Sequence, residues 1–316
     1  MKNNERKFTK MIKEICKEEN INIESYSDNW IFRLSKDHIS KHILGYRFEL
    51  NSSSVDDICN DKSAASDIMI SNHIPCVEHT FFISPPNLKY INNTGNLSEM
   101  LNYLKQHKQI VCKPNEGTGG NCVTLVSNEK ELEEAANEIF KENISLALSP
   151  FYEINNEYRV IILNNKVKLI YLKEIPFLIG NGKDSILKLI ADSNKKYSIN
   201  EIDKHINYYD IPKHNEIIKL NWKHNLGLGS KSQLLEDKEI KTILSNLAIK
   251  VSKTLNLKFA SIDIIETNDT YKVLEINSGV MMDHFANINK ENYKIAKSIY
   301  KEAIEAMFEN KQRNLW

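Results

Sequence analysis

Three oxygen-bearing side chains lie on two consecutive apolar segments near the C-terminal end of the chain. Asp263 lies within SIDII, and Glu275 and Asn277 lie within LEIN, with the turn-forming residues TNDT between the two segments. Because alternate side chains of a strand share a face, Glu275 and Asn277 point one way while Ile276 points into a core. A tight hairpin brings residue 263 close to residue 275. Two carboxylates and one amide carbonyl on one surface are the kind of oxygen ligands that Mg²⁺ prefers.

The same pattern also has a purely structural interpretation. Ile262 and Ile264 flank Asp263, so its carboxylate faces away from them on an alternating strand. Half-exposed antiparallel strands commonly carry polar residues on the solvated face. From the hairpin alone, a metal site and the polar faces of two half-exposed strands therefore remain open as alternatives.

A lysine and a glycine-rich loop form the second chemical feature, in VCKPNEGTGGNCVTLV (111–126). Lys113 ends an apolar run, and Pro114 is expected to end the strand because proline lacks an N–H donor. Glycines allow positive φ and let backbone N–H groups approach an anion closely. The small residues of the loop are Gly117, Thr118, Gly119 and Gly120. The loop matches neither the Walker A nor the GxGxxG pattern, so a hairpin turn and a phosphate-binding loop both fit it.

Composition limits the class of protein that carries these two features. The 316 residues include 42 basic and 42 acidic side chains, which gives no overall attraction to nucleic acid or anionic membrane. No apolar run approaches the roughly 18 residues that span a bilayer, and the first 20 residues are charged throughout. Five scattered cysteines form no CxxC pair. We therefore expect a cytoplasmic protein without structural zinc and without nucleic-acid or membrane partners.

Hydrophobic periodicity predicts the elements that must position these residues. An amphipathic helix is predicted around Phe8–Ile15, strands at 29–34 and 45–50, and a helix capped by Asn60 or Asp61. Further predicted helices are 98–107, 129–141, a short one ending near 190, 237–255 and 291–308; predicted strands are 109–113, 122–126, 145–152, 157–163, 166–173, 258–266 and 271–277. Residues 191–236 read as polar and irregular. Because the last two strands form an antiparallel hairpin, the pattern indicates an α+β or mixed α/β fold rather than a parallel Rossmann sheet.

The lysine, the glycine loop and the distant D-x(11)-E-x-N hairpin together resemble the ATP-grasp superfamily, over roughly residues 60 to 310. The spacing within the hairpin is similar to that of the D-alanine–D-alanine ligases. The order of FLIGNGKDSILKLI and LNWKHNLGLGS is similar to that of cyanophycin synthetase and related amide ligases. The resemblance implies an ATP-grasp fold, in which two α+β subdomains clasp ATP. It divides the chain into a reduced N-terminal substrate-side subdomain (1–85), a small subdomain with the glycine loop (86–148) and a large subdomain with the metal site (149–316).

The resemblance also assigns roles to individual residues. ATP contacts fall on Lys62 (in NDKSAAS), Lys113, Gly117, Thr118, Gly119, Gly120, Pro150, Phe151 and Glu157, with the backbone near Phe151 facing the adenine and Glu157 holding the ribose. Mg²⁺ or Mn²⁺ falls on Asp263, Glu275 and Asn277. Arg159 and Lys113 are implied to be catalytic. Arg159 is a candidate for the charge that the D-alanine ligases place two residues before the metal aspartate, where this chain has Ser261.

Substrate-binding residues are the least determined part of the resemblance. Candidates are Asn225, Gly229, Ser278 and His284. After Asn277 the chain reads SGVMMDH, where the cyanophycin-type pattern has a Pro-Gly turn. His284 also fits a histidine whose hydrogen bonds are satisfied within the fold, so both interpretations of it stay open.

The implied activity is an ATP-dependent ligase that joins a carboxylate to an amine through an acyl phosphate and releases ADP and phosphate. The expected partners are a small-molecule carboxylate and amine, namely an amino acid or short peptide, and a second copy of the chain in a homo-oligomer. Two alternatives remain on the same evidence. One is an ATP-grasp phosphotransferase acting on a small molecule, and the other is a nucleotide-binding partner protein without turnover.

Overall fold

A computed structural model describes residues 5–90, 96–117, 119–175, 177–193, 202, 206–222, 232–268 and 270–309. The helices are α1 Lys7–Glu18, α2 Ser53–Asn60, α3 Lys62–Ser71, α4 Leu97–His107, α5 Glu129–Phe140, α6 Ile186–Asp192, α7 Lys238–Thr254, α8 Asp283–Ala286 and α9 Lys290–Glu309, with a 3-10 turn at Pro85–Tyr90. The strands are β1 Asn22–Tyr26, β2 Ile31–Lys36, β3 Ile39–Leu44, β4 Arg47–Phe48, β5 Thr80–Ile83, β6 Ile110–Pro114, β7 Thr124–Val126, β8 Ser145–Pro150, β9 Asn156–Leu163, β10 Lys166–Lys173, β11 Phe177–Ile179, β12 Ile217–Lys219, β13 Ser232–Leu234, β14 Phe259–Glu266 and β15 Tyr271–Asn277.

The largest sheet has the antiparallel order β13-β10-β9-β14-β15 and is covered on both faces. Its central strands β9 and β14 are therefore almost continuously buried, as expected for strands without a solvated face. One face, which includes Val160 and Ile262, packs against α7 and the α2–α3 region. The other face, which includes Ile161 and Phe259, packs against α1, α8 and α9. The polar residues of the site lie on this second face, at the end of the strands where the apolar packing stops.

The N-terminal segment belongs to the same core as the C-terminal helices. Strands β1 to β4 form an antiparallel meander, and Phe8 of α1 packs its ring against those of Phe48 and Tyr300. Helix α1 has no capping side chain of its own. The carboxylate of Asp283 accepts the Phe8 N–H at 2.9 Å and so supplies the cap from the other end of the chain. This bond ties α1 to the first residue of α8.

The glycine loop belongs to a smaller sheet of order β5-β8-β6-β7, which α4 and α5 cover on one face. Strands β6 and β7 form the hairpin whose turn is the loop. A third, minor core surrounds the β11–β12 pair and α6. Gly180 after β11 is required by packing, because a Cβ atom there would lie 2.2 Å from the Lys213 carbonyl oxygen.

The described residues confirm the predicted helices and the strands of both main sheets to within a few residues. Three expectations were wrong. The strand expected at 45–50 is only Arg47–Phe48, and the strand expected at 122–126 begins at Thr124. The third concerns β12 and β13, which lie in the segment read as irregular. Pro114 is the last residue of β6, as expected, and pairs with Leu146. Among the described helices, none is long and apolar enough to cross a lipid bilayer.

Candidate active site

The carboxylate hairpin adopts the expected register. Asp263 pairs with Glu275 and Ser261 with Asn277 across the β14–β15 hairpin, and a bulge follows Asp263. Ile276 is buried in the opposite core, as the alternation predicts. Asp263 is 0% exposed, so the interpretation as a half-exposed polar face is wrong for this residue. Glu275 and Asn277 are half-buried and border the same space.

Asp263 is held by two cations from the neighbouring strands. The Arg159 guanidinium of β9 donates from Nε and Nη2 to the two carboxylate oxygens, at 2.8 and 2.7 Å. Lys173 of β10 donates to Asp263 Oδ2 at 2.7 Å and also forms an ion pair with Glu157. The four side chains form a buried cluster of two positive and two negative groups, which we call the charge cluster.

The charge cluster shifts the pKa values of its two carboxyls in opposite directions. Burial alone would raise the pKa of Asp263, but Arg159 and Lys173 hold it well below its usual range. Burial raises the pKa of Glu157 to about 7, against the opposing effect of Lys173. Asp263 is therefore anionic at neutral pH. Because Lys173 binds both carboxyls, it fixes the spacing between them.

Lys113 lies in the small sheet but faces the same site, and its environment differs from that of Lys173. Its side chain is buried, with the residue 7% exposed, yet no carboxylate lies within 4 Å of its ammonium in the part of the chain that the structure describes. Burial lowers the pKa of Lys113 to about 8, and the nearby positive charge of Lys62 contributes. Burial also keeps the pKa of His79 well below its usual range, so this neighbour is neutral. A buried ammonium without a counter-charge is costly and favours binding of an anion.

The start of the glycine loop lies against the N-terminus of α3. Lys62 Nζ donates to the carbonyl oxygens of Gly117 and Asn115, at 3.1 and 3.4 Å. Gly117, Gly119 and Gly120 have φ values of 140°, 81° and 74°, in the region where glycine avoids strain. Thr118 lies outside the described residues. The hairpin turn read from the sequence is thus present, and whether the loop binds phosphate stays a prediction.

The predicted nucleoside contacts lie at the connection between β8 and β9. The Phe151 N–H donates to the Gln109 carbonyl at 3.1 Å, so this donor is already used within the fold. Its ring packs edge-on against Trp222, with centroids 5.8 Å apart. Pro150 ends β8, and Glu157 begins the buried part of β9. The roles of these residues toward adenine and ribose remain predictions.

The donor set at the hairpin fits one hard cation with few protein ligands. The side-chain N–H of Asn277 donates to Glu275 Oε1 at 3.3 Å, and the amide oxygen is left for a metal. Glu275 forms no ion pair with any described residue, unlike Asp263. No group of three His, Cys, Asp or Glu side chains in the described ranges is arranged to hold a metal. Two carboxylates and an amide suit Mg²⁺ that takes its remaining ligands from water and phosphate.

The predicted substrate residues are only partly described. Ser278 is buried, and its hydroxyl makes no hydrogen bond with the described part of the chain. His284 in α8 is partly buried, and burial lowers its pKa. Asn225 and Gly229 lie outside the described residues. The contact of any of these four with substrate stays a prediction.

Two residues of the site were missed by sequence reasoning. Lys173 ends the apolar strand VKLIYLK, and its position two residues after Tyr171 on an alternating strand was the available signal. Asn115, directly after Lys113-Pro114, is 0% exposed and contacts α3. For Asn115 the sequence carries no signal, because its partner is 52 residues away in the chain.

The small sheet with its glycine hairpin, the large antiparallel sheet with its carboxylate hairpin and the lysines between them define an ATP-grasp fold. Two solved structures share this fold. The bifunctional glutathione synthetase of Pasteurella multocida has a TM-score of 0.55 at 17% identity, covering 90% of this chain and 41% of that one. The D-alanine–D-alanine ligase of Bacillus anthracis has a TM-score of 0.52 at 15% identity, covering 80% of this chain and 70% of that one.

Sequence comparison adds one family model and two similar proteins to these structures. The family model of the RimK-like ATP-grasp domain matches residues 218–301 of the chain. The glutathione biosynthesis bifunctional protein GshAB of Clostridium perfringens is 24% identical over 250 residues, which are 72% of this chain and 31% of that protein. Cyanophycin synthetase of Trichormus variabilis is 24% identical over 242 residues, which are 71% of this chain and 26% of that protein. The chain thus spans about a quarter to a third of the length of these two relatives.

Proposed function

We propose that this chain is an ATP-dependent ligase that joins a carboxylate to an amine and releases ADP and phosphate. The carboxylate belongs to an amino acid or short peptide. In support, the similar proteins are named for glutathione biosynthesis, cyanophycin synthesis and the joining of D-alanine to D-alanine. The small sheet would act as the small ATP-grasp subdomain and the large sheet as the subdomain that carries the metal, with 1–85 on the substrate side.

One observation carries the proposal. Among the described residues, neither the buried ammonium of Lys113 nor the half-buried carboxylate of Glu275 forms an ion pair, and the negative charge of Glu275 acts to raise the pKa of Lys113. A polyphosphate with a bound divalent cation supplies both missing charges at once. MgATP is the abundant ligand with that chemistry, and the fold is one that clasps ATP.

The residues would divide the work on ATP as follows. Lys113 and Lys62 would hold phosphate oxygens, together with the backbone N–H groups of the glycine loop (Gly117, Thr118, Gly119, Gly120). Pro150 and Phe151 would line the adenine side, and Glu157 would bind the ribose. Closure of the loop would exclude water from the reacting phosphoryl group.

Asp263, Glu275 and Asn277 would hold the divalent cation. When bound, the cation neutralises charge on the transferring phosphoryl group. Arg159 lies against Asp263, to which its Nε and Nη2 donate, and its positive charge would stabilise a phosphoryl group or a reacting carboxylate. Ser278 and His284, with Asn225 and Gly229, remain the candidates for substrate contacts.

The proposed reaction has two steps. A carboxylate oxygen of the substrate attacks the γ-phosphorus, the bond to the β-phosphate oxygen breaks, and ADP leaves with the electron pair. The amine then attacks the carbonyl carbon of the acyl phosphate, phosphate leaves, and the nitrogen loses a proton. The chain contributes mainly position and charge, which is the usual way in which proteins catalyse phosphoryl transfer.

The test is a substrate screen that measures products rather than ATP loss. Purified protein is incubated with MgATP and pools of amino acids and dipeptides, and ADP, AMP and phosphate are quantified. We expect ADP and phosphate only when a carboxylate and an amine are both present, with carboxylate ¹⁸O appearing in the phosphate. AMP with pyrophosphate, or ADP with a stable phosphoryl product and no need for amine, would contradict the proposal.

Nucleotide affinity should depend on pH through Lys113. Its pKa of about 8 means that the amine is charged below pH 8 and increasingly neutral above it. Phosphate oxygens bind the charged form, so above pH 8 binding must first protonate the amine. The Kd for a non-hydrolysable ATP analogue should rise by up to about tenfold per pH unit between pH 8 and 9.5, where Lys113 loses its proton. Calorimetric titration measures this, and an equal slope in Lys113→Met would contradict the assignment.

A further inference from the structure

The first turn of α3 is capped from a different sheet. The first two N–H groups of the helix, of Lys62 and Ser63, donate to the main-chain oxygen and the side-chain Oδ1 of Asn115, both at 3.1 Å. The third, of Ala64, donates to Asp61 Oδ1 at 2.8 Å. Helix N-termini normally leave these groups for a local cap or for water. Here one asparagine from the root of the glycine loop satisfies two of them.

Asn115 is fixed on both sides. Its own N–H donates to the Ser145 carbonyl of β8 at 3.3 Å, which anchors it in the small sheet. Lys62 Nζ reaches past it to the Gly117 carbonyl, and Asp61 forms a β-bridge with Glu116. The first three residues after β6 are therefore attached to the start of α3 by side-chain and main-chain bonds.

The rest of α3 belongs to the large sheet. Ala65 and Met69 are buried in the core that contains Ile262 and Ile276. After the helix, the Val273 N–H donates to the Pro75 carbonyl at 2.9 Å, and the Val77 N–H donates to the Val273 carbonyl at 2.8 Å. Val273 lies on β15, two residues before Glu275. The helix is thus bonded to the glycine loop at one end and to the carboxylate hairpin at the other.

We propose that Asn115 is a positioning residue that sets the glycine loop relative to the carboxylate hairpin, through the N-terminus of α3. The inference rests on the proposed function, since it concerns how the loop and the hairpin grip one nucleotide. Asn115 does not need to touch ATP for this role. Its Nδ2 is buried and makes no hydrogen bond with the described residues, a cost of the kind that is accepted where the other side-chain atom is needed.

Two substitutions separate this role from simple packing. Asn115→Leu has similar size but no acceptor for the Ser63 N–H, whereas Asn115→Asp keeps the acceptor and suits a helix N-terminus. We expect Asn115→Leu to raise the KM for ATP and the Kd for ADP about tenfold or more, with a smaller change in kcat. Asn115→Asp should stay within about threefold of wild type. The loop of Asn115→Leu should also remain open to protease when ADP is added, while the wild-type loop becomes protected.

Asn128→Leu is the matched control. Asn128 caps α5 on the same sheet through a bond from the Glu131 N–H at 3.0 Å, but α5 does not border the site. It should lower thermal stability without changing the KM for ATP. If Asn115→Leu is insoluble, Asn115→Ala removes the same acceptor with less apolar bulk and takes its place.

The outcomes distinguish failure of the proposed function from failure of the positioning role alone. Absence of nucleotide binding by the wild-type protein would remove the proposed function itself. Normal wild-type binding, with Asn115→Leu or Asn115→Ala within threefold in KM and Kd, would overturn the positioning role alone. Weak nucleotide binding by Asn115→Asp would also overturn the positioning role. The acceptor for the Ser63 N–H would then not be the part of Asn115 that matters.

Discussion

Asp263→Asn should cost the protein both its activity and a large part of its stability. The substitution removes a predicted metal ligand and at the same time takes one carboxylate from the buried charge cluster, in which Arg159 pairs with Asp263 and Lys173 pairs with both Asp263 and Glu157. Removing one partner from a buried ion pair typically costs about 3–5 kcal/mol. For a chain of this size the melting temperature should fall by roughly 6–20 °C. Thermal melts without nucleotide measure the stability effect separately from turnover.

A second substitution tests the cause of the destabilisation. Asp263→Asn combined with Lys173→Met leaves one cation, Arg159, and one anion, Glu157, so the formal charge balances again. The double variant should recover part of the lost stability and none of the activity. Glu266→Gln is the control, because Glu266 lies on the same strand and accepts hydrogen bonds but forms no ion pair with a described residue. Equal stability of Asp263→Asn and wild type would show that the charge cluster does not stabilise the fold.

The carboxylate hairpin was predictable because its information is local. Asp263, Glu275 and Asn277 lie on two strands joined by a short turn, and the period of two fixes which side chains share a face. The charge cluster was not predictable in the same way. It needs the pairing of β9 with both β10 and β14, and the neighbours of a central strand are not encoded in its own sequence.

Strands without an apolar face were the main elements missed. The β1 sequence NIESY is mostly exposed, and it is a strand because β2 pairs with it residue by residue. The β3 sequence ISKHIL has a single fully buried residue, Ile43. Neither has the alternation that marks a half-buried strand, so tertiary pairing rather than local preference decides their structure.

The burial of Lys113 was also outside the reach of the sequence. Its position at the end of VCK suggested a lysine near the mouth of a loop, whereas it is buried on β6, where it pairs with Ala147 of β8. The distinction matters because an exposed lysine is a weak anion ligand, and a buried one without a counter-ion is a strong one. The lack of an anionic partner for Lys113 among the described residues is the most direct physical reason to expect a phosphate there.

Lys113→Met should abolish function without lowering stability, whereas Asp263→Asn should lower both. Methionine has a similar length without the charge, so the variant no longer has to bury an ammonium that lacks an anionic partner among the described residues. Its melting temperature without ligand should equal or exceed that of the wild type. Nucleotide should bind at least about 100-fold more weakly, since a buried charge-assisted contact to phosphate is lost, and turnover should be abolished.

Thermal shift with and without MgADP measures both halves of this expectation in one experiment. The wild-type protein should be stabilised by MgADP, as any ligand that binds only the folded state stabilises it, and Lys113→Met should not. Lys130→Met is the matched control, because its lysine side chain is 85% exposed on α5 and its removal should leave both melts unchanged. A Lys113→Met protein that melts lower than wild type yet keeps the full shift with MgADP would assign Lys113 to the fold and not to the nucleotide. The glycine hairpin would then be a turn, as the sequence of that segment alone allows.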